Sequence, residues 1–179
     1  VYTAAIESSL QPMDKVLDAP ILSGPDDKGI IWRPKNDDDK YYGETTLKEG
    51  LTRSRNIVTI KVSEKVGIRN IINYARLFGI TSQLPADLSI TLGSASIPMI
   101  EIVYAYTTFP NMGTRPEMPY FLTKVEDSDG GVLFEMEPPQ HVQVIHPNTA
   151  QIMTDLLVNV VEKGTGFSAR EITRPIGAK

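Results

Sequence analysis

One stretch of the chain, from Gly43 to Val62, restricts the fold more than any other. It begins with a helix start, because Thr46 can cap a helix and Glu49, three residues later, completes a capping box. Five residues then recur at the spacing of one helical face: Leu47, Gly50, Leu51, Ser54 and Val58. The pattern therefore predicts a helix whose apolar face carries a serine.

A hydroxyl on an apolar face costs free energy unless it is hydrogen-bonded. Ser54 is therefore either a satisfied core residue or a functional one, and the pattern by itself favours the first interpretation. Asn56 follows two residues later and suits the N-cap of a next helix. In the alternative interpretation both side chains serve a nucleophile from elsewhere. A hydroxyl can relay a proton, and an amide can both donate and accept hydrogen bonds.

The next segment, residues 57–66, carries two conflicting patterns. β-Branched residues alternate from Val58 to Val62, as in a strand. The spacing of Val58, Val62 and Val66 also fits one helix face, and Gly67 would then be the C-cap. The local pattern leaves both structures open here.

Three further helices are predicted. Residues 68–78 form an amphipathic pattern, which Gly79 closes. Pro98 suits the first turn of a helix that reaches to about residue 108, and this helix is apolar nearly all round and is expected to be buried. Pro147 opens another helix, which ends at Lys163.

Strands are fewer than helices in this interpretation. Residues 120–126 and 131–136 are predicted to form a hairpin. Residues 11–43 are expected to be irregular, with a short strand at 29–32, and residues 172–179 are expected to start another strand. The order of the elements predicts an α+β or helix-rich α/β fold.

The composition is that of a globular protein, with 41% hydrophobic and 22% charged residues among 179. A net charge of −4 provides no basic footprint for nucleic acid, and no apolar run approaches bilayer length. The absence of cysteine excludes disulfides and thiolate chemistry. With only two histidines, a dedicated metal site is disfavoured.

Other motifs have plain structural interpretations. Lys163-Gly-Thr-Gly166 lacks the residue order of a Walker motif and is predicted to be a helix C-cap and turn. His141 and His146 are predicted to be surface residues. Asp37-Asp-Asp-Lys40 is predicted to be a solvated loop, and a cation site is the less favoured alternative because three consecutive carboxylates cannot all converge on one ion. Three aromatic side chains either line a groove or pin a loop to the core: Trp32, Tyr41 and Tyr42.

Both ends of the chain are abrupt. Tyr2 to Glu7 has a helical pattern with no cap before it, and the chain begins without Met or a signal peptide. Arg174 to Lys179 ends without a tail. We therefore expect the sequence to be a piece of a longer polypeptide.

Several short stretches follow one another in a characteristic order: Trp32-Arg-Pro-Lys-Asn36, Gly43, Leu47, Gly50-Leu51, Ser54-Arg-Asn56, Tyr74-Ala-Arg-Leu-Phe-Gly-Ile80, Ser89-Ile-Thr-Leu-Gly93, Ala105-Tyr-Thr-Thr-Phe-Pro-Asn-Met-Gly113 and Val160-Val-Glu-Lys-Gly-Thr-Gly166. Their order resembles the central segment of class A penicillin-binding proteins. The similarity covers nearly the whole chain, and the ordered set is more specific than any single motif.

The motifs of this family are S-x-x-K, S-D-N or a variant, and K-T-G. The resemblance assigns Ser54 and Asn56 to the second motif and Lys179 to the lysine of the third. No S-x-x-K occurs within the chain, so the nucleophilic serine and its lysine are expected shortly before Val1. Residues 1–179 would then be part of one transpeptidase domain, truncated before the first motif and inside the third.

The resemblance also implies a fold and an activity. The fold would be β-lactamase/transpeptidase-like, a helix-rich subdomain with part of an antiparallel sheet, which favours a helix over residues 57–66. The activity would be DD-transpeptidation, in which a serine attacks the D-Ala-D-Ala bond of a peptidoglycan stem peptide and passes the acyl group to a neighbouring amine. In that reaction Ser54 would shuttle a proton, Asn56 would hold the substrate amide and Lys179 would attract the substrate carboxylate.

Further expectations follow from the resemblance. The partners would be stem peptides and β-lactam antibiotics, and no cofactor is implied. The parent protein would act outside the cytoplasm, anchored in the inner membrane and carrying a glycosyltransferase domain. The fragment lacks the nucleophile and is therefore expected to be inactive alone. The alternative is a catalytically silent relative that binds peptidoglycan or partner proteins.

Overall fold

A computed structural model describes residues 1–21 and 32–179 of the chain. Within these ranges lie six α-helices: α1 (Tyr2–Glu7), α2 (Leu47–Thr52), α3 (Asn56–Val66), α4 (Ile68–Leu77), α5 (Met99–Tyr106) and α6 (Pro147–Lys163). The same ranges hold three antiparallel strand pairs: β1 (Lys15–Asp18) with β2 (Gly43–Thr46), β3 (Thr114–Pro116) with β6 (His141–Gln143), and β4 (Lys124–Glu126) with β5 (Val132–Glu135). Short 3₁₀ turns occur at Leu88–Leu92 and Phe167–Glu171.

The first strand pair leads directly into α2. Lys15 lies opposite Thr46, and Asp18 lies opposite Gly43. The prediction that residues 11–43 are irregular was therefore wrong for β1, because strands of four residues with a distant partner leave little local signal. The strand predicted at 29–32 falls, apart from Trp32, outside the described residues.

The Thr46 half of the capping box predicted for α2 is confirmed, whereas the Glu49 side chain pairs with Arg53 instead. The Thr46 hydroxyl accepts a hydrogen bond of 3.1 Å from the backbone N–H of Glu49. The Glu49 carboxylate forms an ion pair with Arg53 one turn later, at 3.1 Å. Capping by Thr46 therefore sets the point where the chain turns from β2 into the helix.

Residues 56–66 form a helix, which resolves the conflict between the strand and helix patterns. The side chains of Ile57, Val58, Ile60 and Val62 are all fully buried. Burial on several sides explains the β-branched run, since packing overrides local propensity in a core helix. Gly67 ends the helix with a φ of 86°, so the predicted glycine C-cap is confirmed.

Two apolar clusters form the core. The first joins α1, α2, α3 and α6 through eleven buried residues: Tyr2, Ala5, Ile6, Val16, Leu47, Leu51, Val58, Val62, Met153, Leu156 and Val160. The second lies where the end of α4 meets α5 and the start of α6: Phe78, Ile80, Ala105, Val144, Ile145 and Ala150. Phe109 packs against both clusters, and its ring centroid lies 5.5 Å from that of Phe78. The two clusters therefore meet at Phe109.

Two predictions about individual elements were wrong. The apolar helix α5 was expected to be buried, but Met99 and Val103 are 80% and 54% exposed, while Tyr104 and Ala105 on its other side are buried. The described residues therefore cover one side of this helix. The predicted strand at 172–179 is an irregular segment, tied to α6 by a hydrogen bond from Ala178 N–H to the carbonyl of Leu157.

The predicted hairpin is confirmed but is shorter than expected, with a bulge between Val125 and Glu126. Its turn is closed by the Asp127 carboxylate, which accepts from the N–H groups of Asp129 and Gly131. Among the helices of residues 1–21 and 32–179, none is long and apolar enough to cross a bilayer.

Candidate active site

The three residues that the sequence singled out line one cavity. Ser54, Asn56 and Lys179 all border a space of about 370 Å³. The cavity lies among α1, the junction of α2 with α3, the end of α5, the middle of α6 and the end of the chain. Residues remote in sequence thus share one small volume.

Ser54 does not lie on the face of α2, so that prediction was wrong. The helix ends at Thr52, and Ser54 has a φ of 56°, in the left-handed region. Its N–H donates to the carbonyl of Leu51, and the N–H of Arg55 donates to the carbonyl of Gly50, which is the bonding pattern of a Schellman helix end. Ser54 therefore occupies the position that glycine usually takes.

A left-handed conformation costs a serine about 1 kcal/mol, because its Cβ crowds the neighbouring carbonyl. The surrounding structure must supply this free energy, since isolated chains avoid the conformation. The left-handed conformation sets the orientation of the side chain, because Ser54 projects from the sharp turn between two helices and not from a helix surface. Its side chain is half-buried at the edge of the cavity.

Asn56 is the first residue of α3, with Arg55 at the N-cap, so the predicted capping role was wrong. Its side-chain N–H donates instead to the backbone carbonyl of Lys35, at 2.8 Å. An amide has two N–H groups and one carbonyl oxygen. The bond to Lys35 therefore uses one donor and restrains the rotation of the amide at the cavity edge.

Lys179 reaches the cavity from the segment that runs beside α6. Partial burial lowers the pKa of its ammonium group from the ordinary value, although the residue keeps contact with solvent. The hydrogen bond between Ala178 and Leu157, at 3.2 Å, ties this segment to α6. A cation therefore borders the same cavity as the serine and the asparagine.

The cavity has polar neighbours that the sequence did not indicate. The Tyr2 and Thr59 hydroxyls lie 3.2 Å apart, and both residues line the cavity. Burial raises the pKa of Tyr2 to about 12, so this phenol stays protonated at neutral pH. Thr59 lies three residues after Asn56 and so shares its helix face. The spacing indicates this proximity only if the segment is a helix, and the local pattern had left that open. Tyr106 also lines the cavity; it lies within the matching stretch 105–113, but the sequence assigned it no role at the site.

The remaining motifs lie away from this cavity. His141 and His146 are exposed, and Gly164 is the C-cap of α6, as predicted. The Asp37–Lys40 loop is exposed, but it is not merely solvated, because Asp38 accepts hydrogen bonds from Tyr42 and Arg55. Across residues 1–21 and 32–179, His, Asp and Glu side chains form no group of three that could hold a metal ion.

Comparison with known proteins identifies the family. The family model for the penicillin binding protein transpeptidase domain matches residues 1–179. Penicillin-binding protein 1A of Neisseria lactamica is 36% identical over 97% of this chain, and that of Pseudomonas aeruginosa is also 36% identical over 97%. The chain spans 22% and 27% of the lengths of these two relatives.

The fold agrees with this match. The crystal structure of penicillin-binding protein 1A from Haemophilus influenzae superposes with a TM-score of 0.90 at 27% identity, over 98% of this chain and 32% of that one. The β-lactamase/transpeptidase-like fold implied by the sequence resemblance is therefore confirmed. The chain belongs to the penicillin-binding protein transpeptidase domain family.

Proposed function

We propose that the chain is a segment of a peptidoglycan DD-transpeptidase, which crosslinks stem peptides through a serine acyl-enzyme and is acylated by β-lactams. The observation that carries the proposal is the shared cavity: a serine, an asparagine and a lysine border one space in a member of the transpeptidase family. The relatives with 36% identity are themselves penicillin-binding proteins. Acyl transfer needs these groups close to one another.

Each of the three residues has a role that its chemistry suits. The Ser54 hydroxyl relays a proton between the nucleophile and the departing amine, since a hydroxyl is both a donor and an acceptor. The Asn56 amide, already held by Lys35, binds the amide backbone of the stem peptide. Lys179 places positive charge beside the D-Ala carboxylate.

The nucleophile in this proposal comes from the full-length protein, because no S-x-x-K occurs within the 179 residues. Residues 1–179 are accordingly part of one transpeptidase domain, with the first motif before Val1 and the third continued after Lys179. The relatives, which are several times longer, support this arrangement. We further propose that the full-length protein acts outside the cytoplasm and is anchored in the inner membrane.

The test is acylation of the full-length protein by a fluorescent penicillin, with release of D-Ala from a D-Ala-D-Ala peptide as the second readout. We expect Ser54→Ala to lower the acylation rate by about hundredfold or more, the range for loss of a proton-transfer group. Ser63→Ala is the matched control. Ser63 is buried in α3, its hydroxyl donates to the carbonyl of Thr59, and it does not line the cavity.

Equal acylation rates in Ser54→Ala and the unsubstituted protein would contradict the proton-relay role. Failure of the unsubstituted full-length protein to react at all would contradict the transpeptidase proposal and would indicate the catalytically silent alternative. Retention on a peptidoglycan column would then be the measurement that characterises it.

Ser54→Gly separates the conformational cost of the left-handed backbone from the function of the hydroxyl. Glycine adopts a φ of 56° without the Cβ penalty, so we expect the free energy of unfolding to rise by about 1 kcal/mol. The same variant lacks the hydroxyl, so its acylation should be as slow as that of Ser54→Ala. A gain in stability together with a loss of reactivity would identify Ser54 as a residue retained for function.

A further inference from the structure

Three consecutive residues at the start of α3 are all held by one loop, residues 35–42. Arg55 forms an ion pair with Asp38, with Nη1 and Oδ2 2.9 Å apart. The Asn56 side chain donates to the carbonyl of Lys35 at 2.8 Å, and the N–H of Ile57 donates to the side-chain oxygen of Asn36 at 3.2 Å. The loop therefore contacts each of the three residues that follow Ser54.

The contact at Arg55 is a closed triangle of side chains. The guanidinium lies 3.6 Å from the centroid of the Tyr42 ring, and the Tyr42 hydroxyl donates to Asp38 at 2.6 Å. Only 16% of the Arg55 side chain is exposed. A planar cation that is both stacked and ion-paired is far more restrained than an ordinary surface arginine.

Asn36 anchors the loop from inside. Its Nδ2 donates to both carboxylate oxygens of Asp18, each at 2.9 Å, and to the carbonyl of Lys40 at 2.8 Å. Asn36 and Asp18 are both buried, at 3% and 1% exposure. The loop is thus fixed to β1 on one side and to the first turn of α3 on the other.

We propose that the 35–42 loop is a positioning element that holds Ser54 in its left-handed conformation at the cavity. The proposal rests on the transpeptidase function given above. Arg55 acts through Ser54, since it does not itself line the cavity. Without the contacts of the loop to residues 55–57, the turn between α2 and α3 is less restrained. The Ser54 hydroxyl then moves away from its position between the nucleophile and the departing amine.

The experiment measures acylation of the full-length protein by a fluorescent penicillin, separated into the affinity of the first complex and the rate of acylation within it. We expect Arg55→Ala to lower the acylation rate by about tenfold to hundredfold, because displacement of a catalytic group by about 1 Å has effects of this size. Affinity should change little, because Asn56 keeps its own hydrogen bond to the carbonyl of Lys35 in this variant. Arg55→Lys keeps the positive charge but loses the planar guanidinium that stacks on Tyr42. Its acylation rate should therefore lie between that of Arg55→Ala and that of the unsubstituted protein.

Arg53→Ala is the matched control on the other side of Ser54. Arg53 is half-exposed and pairs with Glu49 on the surface of α2, so its removal should leave the acylation rate unchanged. Asp38→Asn tests the same three-residue contact from its acidic partner, because it removes the negative charge that pairs with Arg55 and keeps the size of the side chain. If Arg55 and Asp38 act as one unit, the double variant should be no slower than the slower single variant.

The measurement distinguishes positioning from mere destabilisation. Irreversible unfolding would lower the fraction of protein labelled at completion and would leave the rate of the folded fraction unchanged. Reversible unfolding would lower the apparent rate instead, so the circular dichroism of each variant at the labelling temperature must match that of the unsubstituted protein. An unchanged rate in both Arg55→Ala and Asp38→Asn, in a protein that is labelled normally without substitutions, would overturn the positioning role alone. Absence of labelling in the unsubstituted protein would overturn the transpeptidase proposal as well.

Discussion

The buried amide of Asn159 donates a hydrogen bond of 2.5 Å to the hydroxyl of Thr52, two residues before Ser54. The same hydroxyl donates to the carbonyl of Lys48 at 2.7 Å, so it acts as a donor and as an acceptor at once. The bond joins the C-terminal half of α6 to the last turn of α2. The helix end that presents Ser54 is therefore fixed to the longest helix of the described residues.

Thr52→Val tests this connection with little change in shape. The variant removes the acceptor for Asn159 and leaves a buried N–H without its partner, which costs about 1–3 kcal/mol of the free energy of unfolding. Urea unfolding followed by circular dichroism measures the loss. Thr154→Val is the control, since the Thr154 hydroxyl donates back along α6 to the carbonyl of Ala150. Equal stability losses in the two variants would contradict the role of the Thr52–Asn159 bond.

Gly164, at the end of α6, packs against the backbone of Thr52. A Cβ at position 164 would collide with the carbonyl oxygen of Thr52, and the N–H of Thr165 donates to that carbonyl at 3.3 Å. We expect Gly164→Ala to lower the free energy of unfolding by about 1–3 kcal/mol, because a backbone atom cannot yield as a flexible side chain does. The melting temperature measures this effect.

The control for this prediction is Gly166→Ala in the same turn. A Cβ there would lie 3.3 Å from the carbonyl oxygen of Val160, a tight contact that small shifts relieve. Gly164→Ala should therefore lower the melting temperature more than Gly166→Ala. The reverse order would show that the contact with Thr52 adapts without cost.

Stability toward acid should depend on Asp38. The hydrogen bond from Tyr42, and then that from Arg55, hold the pKa of its carboxyl well below the usual range. A depressed folded-state pKa contributes stability that is present above the unfolded-state value of about 3.9 and is lost as the pH falls below it. We expect Asp38→Asn to lose less stability than the unsubstituted protein between about pH 5 and pH 2.

Asp129→Asn is the control for the acid titration. Asp129 lies exposed in the turn between β4 and β5, away from the Arg55–Tyr42 stack. Its substitution should leave the acid-induced loss of stability as it is in the unsubstituted protein. Identical acid profiles for Asp38→Asn and Asp129→Asn would contradict the linkage.

Helix α3 shows where local pattern was insufficient. Its β-branched run allowed a strand or a helix, and only the resemblance to a family favoured the helix, which the structure confirms. The opposite error occurred at α5, where an all-round apolar pattern predicted burial and Met99 is 80% exposed. An apolar pattern shows that burial of a helix face would be favourable. Whether that face is buried depends on which other elements pack against it.

Ser54 shows the same limit within the candidate site. Helical spacing placed it on the face of α2, whereas a Schellman end places it in the junction with a φ of 56°. No local rule predicts a serine at a position that favours glycine, because the compensating contacts come from distant residues.

The sequence by itself determined the family, the helix starts at Thr46 and Pro147, and the residue types of the candidate site. These depend on caps, spacing and ordered motifs, which act over a few residues. Tertiary structure alone decided that Ser54, Asn56 and Lys179 line one cavity and that the 35–42 loop holds the start of α3. Such contacts join residues far apart in the chain, and their free energy depends on packing that no local pattern encodes.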